Sequence, residues 1–200
     1  MSESNMIPLA STTLANSDSS MVSFTGIANG ASAPNYERLK LVFSLRGGWS
    51  GSSASWLRMR VGKGTPNTGS WYQNVYMFGS GNSTPNIYTY TAQSDWTVGY
   101  ITGSDSTYGW MHGSVDVLDW WAASNNNGGG YTKLIGAEVL TYGAGDATGI
   151  TDSTMYKSGH RMGLSDAWSS LHFTLDSSWG TTNKFATGST FDLYGVESAS

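Results

Sequence analysis

The chain has 200 residues, of which 13% are aromatic and only 12% charged; Cys is absent, and 10 Lys+Arg against 14 Asp+Glu give a formal charge of −4. Without Cys there are no disulfide staples, thiolate nucleophiles or zinc–thiolate sites, and the composition fits folding in a reducing cytosol. The densest basic cluster, Arg58, Arg60 and Lys63, is too small for the cationic face that nucleic acid needs, and no apolar run nears the roughly 20 residues of a membrane span, so neither is an expected partner.

Taken in order, the chain opens with a small polar segment, Met1-Ser2-Glu3-Ser4-Asn5, that lacks the basic start and apolar stretch of a signal peptide. Residues 1–15 read as an N-terminal arm that is either a docking segment or disordered, and 16–200 as a single domain. Period-two alternation then recurs while helical periodicity hardly appears. Met21–Ile27 is the first candidate strand. In Glu37–Gly47, Leu39, Leu41, Phe43 and Leu45 share one face, with Arg38, Lys40 and Arg46 on the other. In Trp56–Val61, Leu57, Met59 and Val61 oppose Arg58 and Arg60. Tyr72–Phe78 and Trp96–Thr102 follow, then His112–Trp120 with Val115 and Val117 on its apolar face, and Leu134–Thr141. Leu171, Phe173 and Leu175 oppose His172, Thr174 and Asp176, and Phe191 and Leu193 oppose Asp192 and Tyr194.

Roughly nine strands result, separated by clusters of Gly, Ser, Asn and Thr. Gly47–Ser53, Gly79–Asn86 and Asn125–Gly130 read as long loops. Strands with one apolar and one wet face predict an all-β fold, an antiparallel two-sheet sandwich, with a jelly roll as the expected topology.

Few residues are placed for chemistry. His112, His160 and His172 show no metal-ligand spacing, and strand phase puts His172 on a polar, solvated face. Asp116 and Asp119, three apart on a strand, point to opposite faces and make a poor glycosidase dyad. Asp146 and Asp152 read as turn residues, since no Asp-x-Asp-x-Asp spacing supports calcium. Gly159-His160 and Ser165-Asp166 sit near each other without a Gly-x-Ser-x-Gly elbow. No catalytic residue, metal or cofactor is expected.

Aromatics beside turns are the positive signal. Trp49 stands in a Gly/Ser loop, Trp71-Tyr72 follows a Thr-Gly-Ser turn, and Tyr108-Gly109-Trp110 and Trp179-Gly180 also flank turns. Each such ring either folds back over the end of the sandwich or faces outward as a stacking platform. Trp49, Trp71, Tyr72, Tyr108, Trp110 and Trp179 are therefore the candidate contacts for a ligand or partner.

Several phrases carry a resemblance. Ile7-Pro8-Leu9-Ala10-Ser11-Thr12-Thr13-Leu14 with Ser19–Ile27, then Tyr36–Leu41, Trp56–Gly62, Asp116-Val117-Leu118-Asp119-Trp120 and the ending Gly188-Ser189-Thr190-Phe191-Asp192-Leu193-Tyr194-Gly195-Val196, resemble a family of tailed-bacteriophage virion proteins in the same order along the chain. Trp120 and Trp121 depart from it, standing where the family has Tyr-Ala. The resemblance implies a non-enzymatic virion structural protein with a jelly-roll-like sandwich, made in the host cytoplasm and assembled into the particle. It would be a tail or capsid appendage or a decoration subunit. Its implied partners are other virion proteins, further copies of itself (a homotrimer) and a host-surface glycan. The alternative reading is a free carbohydrate-binding or glycan-cleaving β-sandwich protein.

Overall fold

A computed structural model describes residues 6–15, 19–27, 36–48, 54–80, 84–102, 110–118, 120, 133–142, 154–162, 168–175 and 183–197. Among these, the chain forms β1 (Met6–Thr13), β2 (Met21–Phe24), β3 (Tyr36–Arg46), β4 (Ala54–Gly62), β5 (Tyr72–Ser80) and β6 (Asn86–Gln93). It continues through β7 (Trp96–Thr102), β8 (Trp110–Leu118), β9 (Lys133–Tyr142), β10 (Thr154–Met162), β11 (Ser170–Leu175) and β12 (Thr190–Glu197). The expected all-β antiparallel sandwich is what forms. One sheet has eight strands in the order β1-β12-β3-β8-β9-β10-β5-β6, and the other has four in the order β2-β11-β4-β7. No helix among the described residues is long and apolar enough to cross a membrane.

The pairing is nested. β1 joins β12, β2 joins β11, β3 joins β8 and β4 joins β7, so the two ends of the chain pair first and the middle pairs last. The antiparallel pairs β5–β6 and β9–β10 extend the large sheet beyond β8. Every predicted apolar face is buried: Leu39, Leu41, Phe43 and Leu45 on β3, Leu57, Met59 and Val61 on β4, Val115 and Val117 on β8, Leu171, Phe173 and Leu175 on β11, and Phe191 and Leu193 on β12. The two sheets meet through Phe173 and Phe191, whose ring centroids lie 5.6 Å apart, with Phe185 edge-on to Phe191 at 5.3 Å. Burial of each such ring or leucine contributes about 1.5–3 kcal/mol.

Three strands depart from the sequence reading. Residues 6–13, expected as part of an arm, are the edge strand β1, while 1–5 lie outside the described residues. Ile7 and Leu9 pack against the core, and Leu14 is tied down by Leu14 N–H to Ser189 O at 2.9 Å and Gly188 N–H to Leu14 O at 2.8 Å. Pro8 masked the strand, but a proline is tolerated at a sheet edge, and the register breaks between Pro8 and Ala10. β6 takes Asn86 from an expected loop whose other end, Gly79 and Ser80, belongs to β5. β10 has no apolar alternation to read, with Lys157, Ser158, Gly159, His160 and Arg161 in succession. The expected loop Asn125–Gly130 and residues 49–53 of the Gly47–Ser53 loop lie outside the described residues.

Candidate functional site

The aromatic candidates do not converge. Trp49, Tyr108 and Trp179 lie outside the described residues. Trp71 is 52% exposed just before β5, its indole edge lying over Gly69 and its backbone N–H donating to Gly69 O at 2.9 Å. Trp110 is half-buried at the start of β8 and stacks on exposed His112, ring centroids 6.3 Å apart. Register puts Tyr72 opposite Met162 and Met162 opposite Lys133, whereas Trp110 faces Tyr142, so Trp71 and Trp110 lie at opposite ends of the large sheet.

Tyr72 is a correction. Expected as an outward contact, it is fully buried, edge-on to Trp96 with centroids 4.8 Å apart. Its hydroxyl donates to Asn67 O at 2.9 Å and accepts the Val61 N–H at 3.4 Å. Burial pushes the phenol up to about 12, opposed by the Val61 hydrogen bond and the Arg60 charge. The reason is strand geometry: Trp71 and Tyr72 are adjacent and must face opposite sides, so only one of them remains available.

The same alternation assembles a cluster that turn-based reading of the sequence missed. Tyr72, Asn74 and Tyr76 share one face of β5; register places Tyr88 opposite Tyr76 and Tyr90 opposite Asn74. Tyr76 is buried with its ring 5.2 Å from Tyr88 and 5.9 Å from Tyr90, and 5.7 Å from Trp56 on β4. Tyr88 and Tyr90 are nearly parallel, 8° between planes and 6.5 Å between centroids, and remain 38% and 44% exposed. Burial pushes the Tyr76 phenol upward, reinforced by its hydrogen bond with Tyr90. The Tyr-x-Tyr spacing in a Thr-rich strand was the signal that would have found this pair.

On the opposite face of the hairpin, Val75 is exposed, Met77 half-buried, and Ile87, directly across from Met77, is 74% exposed. Neither Tyr72–Ser80 nor Asn86–Gln93 contains a charged residue. The charges lie below, where Asp95 is held by Arg60 at 3.1 Å and Arg58 at 3.5 Å, Arg60 also donates to Ser94 O at 3.1 Å, and Arg58 bonds the Thr97 hydroxyl. These bonds fix the β6–β7 turn on which the hairpin sits. The result is an uncharged hairpin that ends the large sheet, with β5 paired to β10 and apolar or aromatic side chains on both faces.

The polar candidates make no comparable assembly. His172, expected on a solvated face, is only 2% exposed. It is flanked across the sheet by Ser23 and Arg60; Nδ1 lies 2.8 Å from Ser23 Oγ and Nε2 2.9 Å from Ser170 Oγ, which also accepts the Gly64 N–H at 3.0 Å. Burial first, and the Arg60 charge second, hold the imidazole below its ordinary value. With both nitrogens engaged, the ring acts as a buried cross-link. Asp116 sits between Lys40 at 3.5 Å and Arg38 at 3.6 Å. Asp119, Asp146, Asp152, Ser165 and Asp166 lie outside the described residues, as does the side chain of His160. Among the described residues no three His, Asp or Glu side chains gather as a metal-ligand set.

No protein-family model matches the chain, and no curated protein matches it.

Proposed function

We propose that this chain is a non-enzymatic structural protein of a tailed-bacteriophage virion, an appendage or decoration subunit that works by binding other virion proteins through its surface. The observation that carries this reading is the β5–β6 hairpin, which is uncharged and exposes Val75 and Ile87 on one face and Tyr88 and Tyr90 on the other. Exposed apolar and aromatic surface clustered on one uncharged element marks an interface, because it costs free energy in water and gains it when covered. The ordered phage-like phrases support the virion assignment, and with it a location in the particle. The nested pairing of β1 with β12, β2 with β11, β3 with β8 and β4 with β7 supports reading the sandwich as a jelly roll with two inserted hairpins. The homotrimer that the resemblance implies is an analogy with phage appendages and carries no part of this reading.

The test is reconstitution. The purified chain, added to particles made without it, should bind saturably at a fixed number of copies. Particles that take up none would overturn the reading.

A second reading is favoured by the near-parallel Tyr88 and Tyr90 rings, which offer a stacking surface for a sugar ring of a host-surface glycan. A glycan array probed with the wild type and with Tyr88→Ala and Tyr90→Ala decides it: binding lost in the variants supports glycan contact. Turnover of a polysaccharide by the purified chain would favour the free glycan-cleaving alternative over the structural one.

A further inference from the structure

The two sheets end in four edge strands, β1 and β6 in the large sheet and β2 and β7 in the small one. An open edge presents unpaired N–H and C=O groups, and stable proteins blunt such edges with proline, bulges, short length, charge or a cover. Three of the four are blunted here. β1 carries Pro8 and a register break beside it. β2 is four residues long. β7 has a register break between Gly99 and Thr97, opposite Leu57 and Arg58, and at its start the Asn74 side chain bonds the Thr97 N–H at 3.1 Å and the carbonyl of Asp95, in the turn before the strand, at 3.0 Å.

β6 is built differently. Asn86–Tyr90 runs in unbroken register with Phe78–Asn74 of β5, and its one irregularity lies at the far end, where Ala92 has φ 54°. The strand Asn86-Ile87-Tyr88-Thr89-Tyr90-Thr91-Ala92-Gln93 holds no proline and no charge, and is rich in the β-branched and aromatic residues that favour pairing. Asn86 to Ala92 are all exposed.

We infer that β6 pairs antiparallel with β6 of a second copy of this chain about a two-fold axis, joining two eight-stranded sheets into one. The partner follows from the edges themselves. Over Asn86–Tyr90, β6 has the longest unbroken edge among the described strands, so its match on another copy is β6 again. A pairing of like with like closes at two chains instead of propagating as a filament. Being uncharged, the edge sets no like charges against each other across the axis. An axis through Thr89 places Tyr88 opposite Tyr90 of the second copy, so four rings line one face of the joined sheet. On the other face Ile87 meets Thr91, which covers the most exposed large apolar side chain described. The inference stands on the edge inventory and is independent of the virion assignment. It gives a two-fold contact where the resemblance implies a trimer.

The test is the mass of the full-length chain in solution by sedimentation velocity, wild type against Thr89→Lys. Thr89 is exposed, so the substitution leaves the sandwich intact and sets two ammonium groups on the axis. The wild type should sediment as a two-fold assembly, Thr89→Lys should weaken association by about tenfold or more, and an equimolar mixture of Thr89→Lys with Thr89→Glu should restore it. A wild-type monomer, a trimer, an assembly unmoved by Thr89→Lys, or a mixture that stays apart would each overturn the inference. A monomer would leave β6 free for a strand of another protein. Should the variants fail to fold, hydrogen exchange on the diluted wild type decides: residues 86–93 should lose protection as the assembly dissociates, and protection independent of concentration would overturn it.

Discussion

The Asn74 side chain caps the start of β7: its Oδ1 accepts the Thr97 N–H at 3.1 Å while its Nδ2 donates to the carbonyl of Asp95, in the turn before the strand, at 3.0 Å. One amide reproduces the donor and acceptor of a backbone neighbour, and so fastens the β5–β6 hairpin to the smaller sheet. Asn74→Ala leaves two backbone groups without those bonds at a fully buried position and should cost about 2–3 kcal/mol. Asn74→Asp keeps the acceptor but loses the donor, and should also destabilise. Urea denaturation of both variants checks this; midpoints unchanged from wild type would refute the capping role.

His172 should make stability depend on pH. Its folded value is held below the ordinary 6.5 by burial, so below that pH the unfolded chain binds more protons than the folded one. The stabilisation is therefore full above about pH 6.5 and is lost progressively as pH falls below it. His172→Gln should flatten this part of the profile while lowering stability throughout. Urea midpoints measured from pH 8 down to pH 5 provide the comparison, and a wild-type profile with the same slope as His172→Gln would contradict the assignment.

Two glycines should respond with opposite signs. A Cβ on Gly62 would lie 1.8 Å from Thr65 O, inside the tight turn closed by Asn67 N–H to Val61 O at 2.8 Å. Gly62→Ala must displace backbone and should cost about 3 kcal/mol or more. A Cβ on Gly136, exposed on β9, meets nothing within 4 Å, so Gly136→Ala should gain about 0.5 kcal/mol by restricting the unfolded chain. Thermal melts of the pair give the readout.

Tyr88 and Tyr90 should matter to binding more than to folding. Because both rings are part exposed, Tyr88→Ala and Tyr90→Ala should each cost only about 1 kcal/mol of stability. Uptake into particles should nevertheless fall about tenfold or more in the double variant. Normal uptake with both rings removed would move the contact surface elsewhere.

The core was legible because burial and strand period agree: Leu39 to Leu45 on β3 and Leu171 to Leu175 on β11 alternate cleanly against polar partners. Elsewhere a local sign pointed away from the long-range outcome. Pro8 breaks strands in general, yet at a sheet edge its missing N–H costs little. His172 has the phase of an outward residue, but Ser23, Arg60 and Ser170 from its own and neighbouring strands close around it. Which of Trp71 and Tyr72 turns inward depends on Trp96, a partner more than twenty residues away in the chain. The Tyr76, Tyr88 and Tyr90 cluster depends on hairpin register, which composition does not encode, and so reading aromatics beside turns passed over it.

The most direct measurement is a cryo-electron microscopy reconstruction of the intact phage particle at a resolution that traces strands. It should contain this sandwich, with Ile87, Tyr88 and Tyr90 of the β5–β6 hairpin buried against a neighbouring subunit. A particle without the chain, or one in which that hairpin faces solvent while another surface makes the contacts, would contradict the account.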